Sequence, residues 1–257
     1  MPLRLNRFKE KLIAGKPQIG LFTTLASTLL AEIFAGAGFD WVLIDTEHSP
    51  NELPNVIAQL QALAGFDAAP IVRPAWSDEV LVKRVLDAGA QTLLFPYVQS
   101  AEEAAYAVRS TRYPPHGRRG VSGSSRAADF GLTENYLKNA ADQLCVLVQI
   151  ETVAGLDNLE AIAAVEGVDG VFIGPADLAA SLGHLGNTKH PDVQAAIDDA
   201  FRRIKATGKP SGYLTMDPVE AERRLESGVG FVGVATDTFI VTRGARELVN
   251  RFAPFTR

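Results

Sequence analysis

The chain reads as a single (β/α)8 barrel, one α/β domain across residues 1–257, on three observations. Eight short apolar runs of strand type alternate with helical patterns almost from end to end. Several runs, such as Trp41-Val42-Leu43-Ile44 and Thr92-Leu93-Leu94-Phe95, are apolar throughout, as parallel strands covered on both faces are. Helical patterns end at Gly38, Gly89, Gly167, Gly208 and Gly228, just ahead of the next run, where glycine takes a left-handed cap at no steric cost. Eight βα units in 257 residues favour a closed barrel over an open doubly wound sheet.

Taken in order, residues 1–7 carry basic side chains but no apolar run follows, so no secretory signal is expected. Strands are expected at 18–23, 41–45, 70–73 and 92–96, with helices at 27–37, 78–88 and 101–111. Residues 113–142, rich in Pro, Gly, Ser and Arg, form the one long irregular connection, of a length that marks a functional or interface element. Strands at 145–150, 170–173, 211–214 and 231–235 then alternate with helices at 153–165, 192–207 and 218–227. The lone cysteine, Cys145, falls inside a strand and reads as a small buried hydrophobe in a reducing, cytoplasmic setting. No apolar run approaches the ~18 residues of a membrane span. A net charge of −5 leaves no basic excess for nucleic acid.

In such a barrel the chemistry collects at the C-terminal strand ends. Those positions read Thr23 and Thr24; Asp45, Glu47 and His48; Arg73; Pro96; Gln149 and Glu151; Gly174-Pro175-Ala176-Asp177; Leu214; and Thr236 and Asp237. Glu151 and Asp177 are two carboxylates with no thiolate beside them, a donor set for a hard divalent cation that keeps open positions. Asp45 and His48 suggest a dyad in which the carboxylate fixes the imidazole tautomer; the alternative is a turn-capping Asp and an ordinary loop histidine. Glu47 would hold a water beside the metal or face solvent. Pro74 ends its strand and leaves Arg73 at the mouth, where a guanidinium stabilises an enolate or carboxylate oxygen. Gln149 shares a strand face with Glu151 and would orient substrate. Gly174 permits close approach of the backbone, and Asp177 would also cap a following helix through 178–182.

The remaining histidines, His116, His184 and His190, read as solvent or interface residues. Arg118, Arg119 and Arg126 make the long loop basic, for an anionic substrate or a neighbouring subunit. Lys83, Lys138, Lys189, Lys205 and Lys209 are expected in helices or basal loops, which disfavours a Schiff-base mechanism. The last βα loops show no glycine-rich phosphate cup, and no dinucleotide fingerprint is present.

These residues resemble the HpcH/HpaI aldolase family of metal-dependent class II pyruvate aldolases. The resemblance runs through Asp45-Thr46-Glu47-His48-Ser49-Pro50-Asn51, Val72-Arg73-Pro74, Leu86-Asp87-Ala88-Gly89-Ala90-Gln91, Arg119-Gly120-Val121, Gln149-Ile150-Glu151-Thr152 and Gly174-Pro175-Ala176-Asp177-Leu178. It implies a TIM barrel in which Glu151 and Asp177 ligate Mg2+, Mn2+ or Co2+. Arg73, His48 and Asp45 would be catalytic, and Gln149, Gly174, Pro175, Ala176 and Leu214 would line the substrate site. Glu47, Asp87 and Arg126 are further candidates, Asp87 at a neighbour's site. The implied reaction is reversible cleavage of a 4-hydroxy-2-oxo acid to pyruvate, or a related 2-oxo acid such as hydroxypyruvate, and an aldehyde. The resemblance also implies a hexamer, a dimer of trimers exchanging the C-terminal helix at 239–255. The Ser-rich loop 117–131 and Thr23-Thr24-Leu25 depart from the family pattern, so the acceptor is not inherited. Two alternatives stand beside this reading: a citrate-lyase-β-like enzyme acting on a 3-hydroxyacyl-CoA thioester, which needs a basic CoA-binding surface, and a barrel that binds 2-oxo acids without turnover.

Overall fold

The computed structural model describes residues 1–256. Eight parallel strands close into one barrel in sequence order: β1 Gln18–Thr23, β2 Trp41–Asp45, β3 Ala69–Arg73, β4 Thr92–Phe95, β5 Cys145–Ile150, β6 Gly170–Ile173, β7 Ser211–Leu214 and β8 Phe231–Thr236. The helices are α1 Arg7–Ile13, α2 Thr28–Gly36, α3 Leu53–Leu63, α4 Glu79–Asp87, α5 Ala101–Thr111, α6 Tyr136–Asn139, α7 Val153–Asp157, α8 Leu159–Ala163, α9 Pro175–Ser181, α10 Pro191–Ala206, α11 Pro218–Glu226 and α12 Asp237–Thr256. The eight expected strands are all present. β4 stops at Phe95 because Pro96 has no N–H to donate to the ladder.

Strand periodicity sorts the side chains into two cores. Phe22, Trp41, Leu43, Ile71, Leu94, Cys145, Leu147, Phe172 and Phe231 fill the barrel interior, whereas Val42, Ile44, Val72, Val146, Val148 and Ile173 pack outward against the helices. Glycine makes room for the large interior rings: a Cβ on Gly20 would lie 2.1 Å from Trp41, and one on Gly212 2.2 Å from Phe231. The interior parity continues to the strand ends, so Asp45, Arg73, Gln149 and Glu151 project into the mouth while their neighbours Ile44, Val72 and Ile150 face helices.

Three helices, α1, α3 and the short α6, were not among those expected from the sequence. α1 plugs the base of the barrel: Phe8 is fully buried edge-on to Phe231, with ring centroids 5.3 Å apart. Asn6 caps it and also donates to Thr92 Oγ1 and the Gln143 carbonyl, tying the plug to the barrel floor. α3 buries Val56, Leu60 and Leu63, and its Pro54 sits in the first turn, where a missing N–H costs nothing. The helix expected at 153–165 is broken at Asn158 into α7 and α8.

The loop after α5 runs along α4 to the base of the barrel. The Arg119 guanidinium is wholly buried, 2.8 Å from Asp87 Oδ1 and stacked over Tyr113. Arg126 Nη1 donates to the Ala88 carbonyl at 2.7 Å. α12 leaves the barrel after its first turns, and Leu248, Val249, Phe252 and Phe255 stand exposed along it.

Candidate active site

At the C-terminal strand ends lies an open cavity of about 730 Å³, lined on its polar side by His48, Arg73, Gln149, Glu151 and Asp177. Gly174, Pro175, Ala176 and Leu214 complete the wall around the acids, so every residue expected to bind substrate faces one space.

Arg73 sits opposite Asp45 in the β2–β3 register, and the pairing is two-pronged. Nε donates to Asp45 Oδ1 at 2.9 Å and Nη2 to Oδ2 at 2.7 Å. Both side chains are buried, and the geometry leaves Nη1 turned toward the acids, 3.1 Å from Glu47 Oε2 and 3.5 Å from Gln149 Oε1. Asp45 is itself fixed from behind: its Oδ1 accepts from the Glu47 backbone N–H, and its carbonyl accepts from Asn51 Nδ2. Gln59 Nε2 donates to Asn51 Oδ1, and Thr23 Oγ1 donates to Gln59 Oε1. Asn51 and Gln59 are positioning residues that sequence reading did not assign; the signal for Gln59 is an amide on the face of α3 that carries Val56, Leu60 and Leu63.

The expected Asp45–His48 dyad is not made. Asp45 is committed to Arg73 and accepts only from the backbone of His48, at 3.5 Å. The imidazole is 64% exposed and lies nearest Glu47, with Nε2 3.8 Å from Oε1. Glu47 does not face solvent. Its side chain is 13% exposed between Arg73 and His48, and burial pushes its carboxyl up to about 7 against the opposing pull of Arg73.

Glu151 is buried at the end of β5. Its Oε1 accepts from the Tyr97 N–H at 2.8 Å and its Oε2 from Gln149 Nε2 at 2.5 Å. Tyr97 adopts φ +58° to present that N–H, a strained conformation for a bulky residue. Burial, reinforced by Asp177 and Glu47, pushes the Glu151 carboxyl up to about 7. Gly174 gives Glu151 its space: a Cβ there would come within 2.6 Å of Oε2. Asp177 is not an N-cap, since Gly174 occupies that place, but stands exposed in the first turn of α9. Three carboxylates therefore meet one guanidinium that Asp45 has already neutralised. This excess of oxygen donors and negative charge fits a hard divalent cation on Glu151 and Asp177.

Other expectations resolve differently. Asp237 is wholly buried and staples the β1 loop, accepting from the N–H groups of Thr24 and Leu25, while Thr23 points away from the mouth. Lys189 lines the cavity rather than a helix or basal loop. It is 75% exposed and its Nζ lies 2.9 Å from Asp217 Oδ2; this bond holds its pKa up, the opposite of what a Schiff-base lysine needs. Asp87 and Arg126 lie at the base, remote from this chain's own mouth.

The profile of the HpcH/HpaI aldolase/citrate lyase family matches residues 18–243. The chain is 56% identical to a pyruvate aldolase of Rhizobium etli, over 98% of this chain and 100% of that protein. It is 55% identical to a 4-hydroxy-2-oxo-heptane-1,7-dioate aldolase of Klebsiella pneumoniae, over 96% of this chain and 94% of that protein. The crystal structure of an HpcH/HpaI aldolase/citrate lyase family protein from Burkholderia cenocepacia superposes with a TM-score of 0.93 at 42% identity, covering 96% of this chain and 99% of that one. With barrel, cavity and sequence in agreement, the chain belongs to the HpcH/HpaI aldolase/citrate lyase family.

Proposed function

We propose that this protein is a class II pyruvate aldolase, a carbon–carbon lyase that cleaves a 4-hydroxy-2-oxo acid to pyruvate or a related 2-oxo acid and an aldehyde, and runs the reverse addition. The observation that carries the reading is the pairing, in one cavity, of buried Glu151 seated on bare Gly174 with a clamped Arg73 whose Nη1 faces the acids. Glu151 and Asp177 would hold the divalent cation, Mg2+, Mn2+ or Co2+. When bound, that cation supplies Lewis-acid polarisation of the 2-oxo group and offsets enolate charge.

The chain's own groups do the rest. Arg73 Nη1 donates to the oxygen that becomes the enolate, and Asp45 holds the guanidinium so that no reorganisation is needed as charge develops. In cleavage, His48 takes the proton of the C4 hydroxyl, directly or through one water. The C3–C4 electron pair passes to the 2-oxo unit, the aldehyde departs, and C3 is protonated to give the methyl group of pyruvate. Glu47, between Arg73 and His48 and titrating near neutrality, holds the imidazole and the intervening water. Gln149 keeps Glu151 oriented through its 2.5 Å bond. Leu214 and Ala176 form an apolar wall for the acceptor.

The thioester-lyase alternative needs a basic CoA-binding surface, but Arg119 is buried against Asp87, Arg126 is basal, Arg118 pairs with Glu79 on the flank, and Lys189 in the cavity wall pairs with Asp217. The exposed apolar face of α12 supports its exchange with a second copy in a dimer of trimers; any catalytic part for Asp87 or Arg126 is then at a neighbour's site. No described helix is long and apolar enough to cross a membrane, and the single reduced cysteine suits the cytoplasm. The test is cleavage of 4-hydroxy-2-oxo acids by chelator-stripped protein, with pyruvate release measured before and after Mg2+, Mn2+ or Co2+ is restored. Metal-dependent release lost in Asp177→Ala supports the reading; release unaffected by stripping sinks it.

A further inference from the structure

His184, His190 and Asp192 bring three ligand atoms within 4.8 Å of one another on the loop between α9 and α10. Asp192 Oδ2 lies 3.5 Å from His184 Nε2 and 3.7 Å from His190 Nδ1, and the two imidazoles stack with centroids 3.6 Å apart at 15°. In a tetrahedral zinc site with bonds near 2.0–2.1 Å, neighbouring ligand atoms stand about 3.3 Å apart. The two pairs that involve Asp192 are within a few tenths of an ångström of that spacing, whereas the two imidazoles, whose ligand atoms stand within 4.8 Å, must turn out of their stack to aim both lone pairs at one ion.

The backbone that carries these side chains is already closed. Asn187 N–H donates to the His184 carbonyl at 2.9 Å, and His190 N–H to the Asn187 carbonyl at 3.1 Å, so two successive turns link the two histidines. Gly183 and Gly186, at φ +83° and +76°, let the chain fold back, and Pro191 fixes the first turn of α10. Among the described residues, neither the His184 imidazole nor the Asp192 carboxylate bonds to anything outside this group. The one hydrogen bond at stake is the 3.3 Å contact from Asp192 N–H to His190 Nδ1.

We propose that these three residues form a second metal site, for a borderline first-row cation of the Zn2+ class, chemically distinct from the mouth. Two imidazoles and one carboxylate select such ions over Mg2+, whereas the all-carboxylate pair Glu151 and Asp177 suits the harder ion. The histidines are 26% and 32% exposed and Asp192 74%, which leaves room for water in the remaining positions. The same loop carries Thr188 and Lys189 into the wall of the large cavity, so an occupied site holds that wall in place. The proposal does not depend on the aldolase reading.

The test is a calorimetric titration of the whole chain with Zn2+ in a large excess of Mg2+, on wild type, His184→Gln, Asp192→Asn and Glu151→Gln. We expect His184→Gln to bind one Zn2+ fewer per chain, and Asp192→Asn to weaken that ion by roughly 100-fold. Circular dichroism and Mg2+-supported turnover of both should match wild type, and Glu151→Gln should keep the ion. Unchanged Zn2+ stoichiometry in His184→Gln overturns the proposal, as does loss of all Zn2+ binding in Glu151→Gln.

Discussion

Asp45 gives both carboxylate oxygens to Arg73, and that pairing decides which nitrogen of the guanidinium serves the cavity. A lysine at this position would keep the charge but lose the fork, so Arg73→Lys should lower kcat by about 10²–10³-fold while the protein stays folded. Steady-state kinetics with circular dichroism checks it. Glu151 carries the second expectation at this scale. Its folded pKa, near 7, lies above the ordinary 4.5, so the metal-free native state holds a proton that the unfolded chain releases. The associated stability is fully present below about pH 4.5 and is lost as pH rises toward 7. Denaturant titrations should therefore show Glu151→Gln gaining on wild type, in the metal-free state, between pH 5 and pH 8. With metal present, protons compete for the same oxygens, and wild-type affinity should fall as pH drops below about 7. Gly174→Ala should cost at least about tenfold in metal affinity, read by calorimetry, because its Cβ would lie 2.6 Å from Glu151 Oε2.

At the scale of elements, alternation along the strands made Asp45, Arg73, Gln149 and Glu151 legible in the sequence, since interior parity at a strand end follows from the period of two. What it could not supply is partner choice. Asp45 faces Arg73 across the β2–β3 register, a contact 28 residues away, and this outcompeted the local one to His48. Asp237 shows the same limit: a carboxylate at a strand end, yet turned back to the Thr24 and Leu25 amides. The plug helix α1 was missed because its role exists only once the barrel has closed over Phe8. Phe8→Ala should therefore destabilise the fold by about 3–5 kcal/mol in urea titrations and leave metal affinity unchanged. Loss of metal binding in step with stability would show that the floor and the mouth are not separable.

At the scale of the whole molecule, closure and the order of the βα units were written in the spacing of the apolar runs, whereas the direction of the 113–142 loop was not. By composition its arginines suited an anionic substrate or a neighbouring subunit, but Arg119 is buried against Asp87, Arg126 is bound to the Ala88 carbonyl at the base, and Arg118 pairs with Glu79 on the flank. α12 carries an unpartnered apolar face, with Phe252 52% and Phe255 82% exposed. Truncation of residues 244–257 keeps Phe239 in the cavity wall and removes that face. In analytical ultracentrifugation the shortened chain should sediment as a smaller species than the full chain; an unchanged coefficient would place the subunit contacts elsewhere.

The proposed function requires this mouth to make an enolate from a 2-oxo acid. Its most direct test is exchange of the pyruvate methyl protons for deuterium, followed by NMR on metal-stripped protein with and without Mn2+, for wild type and Glu151→Ala. Exchange should appear only with Mn2+ and be lost in Glu151→Ala. No exchange by wild-type protein with Mn2+ demonstrably bound would contradict it, and would leave a barrel that binds 2-oxo acids without turning them over.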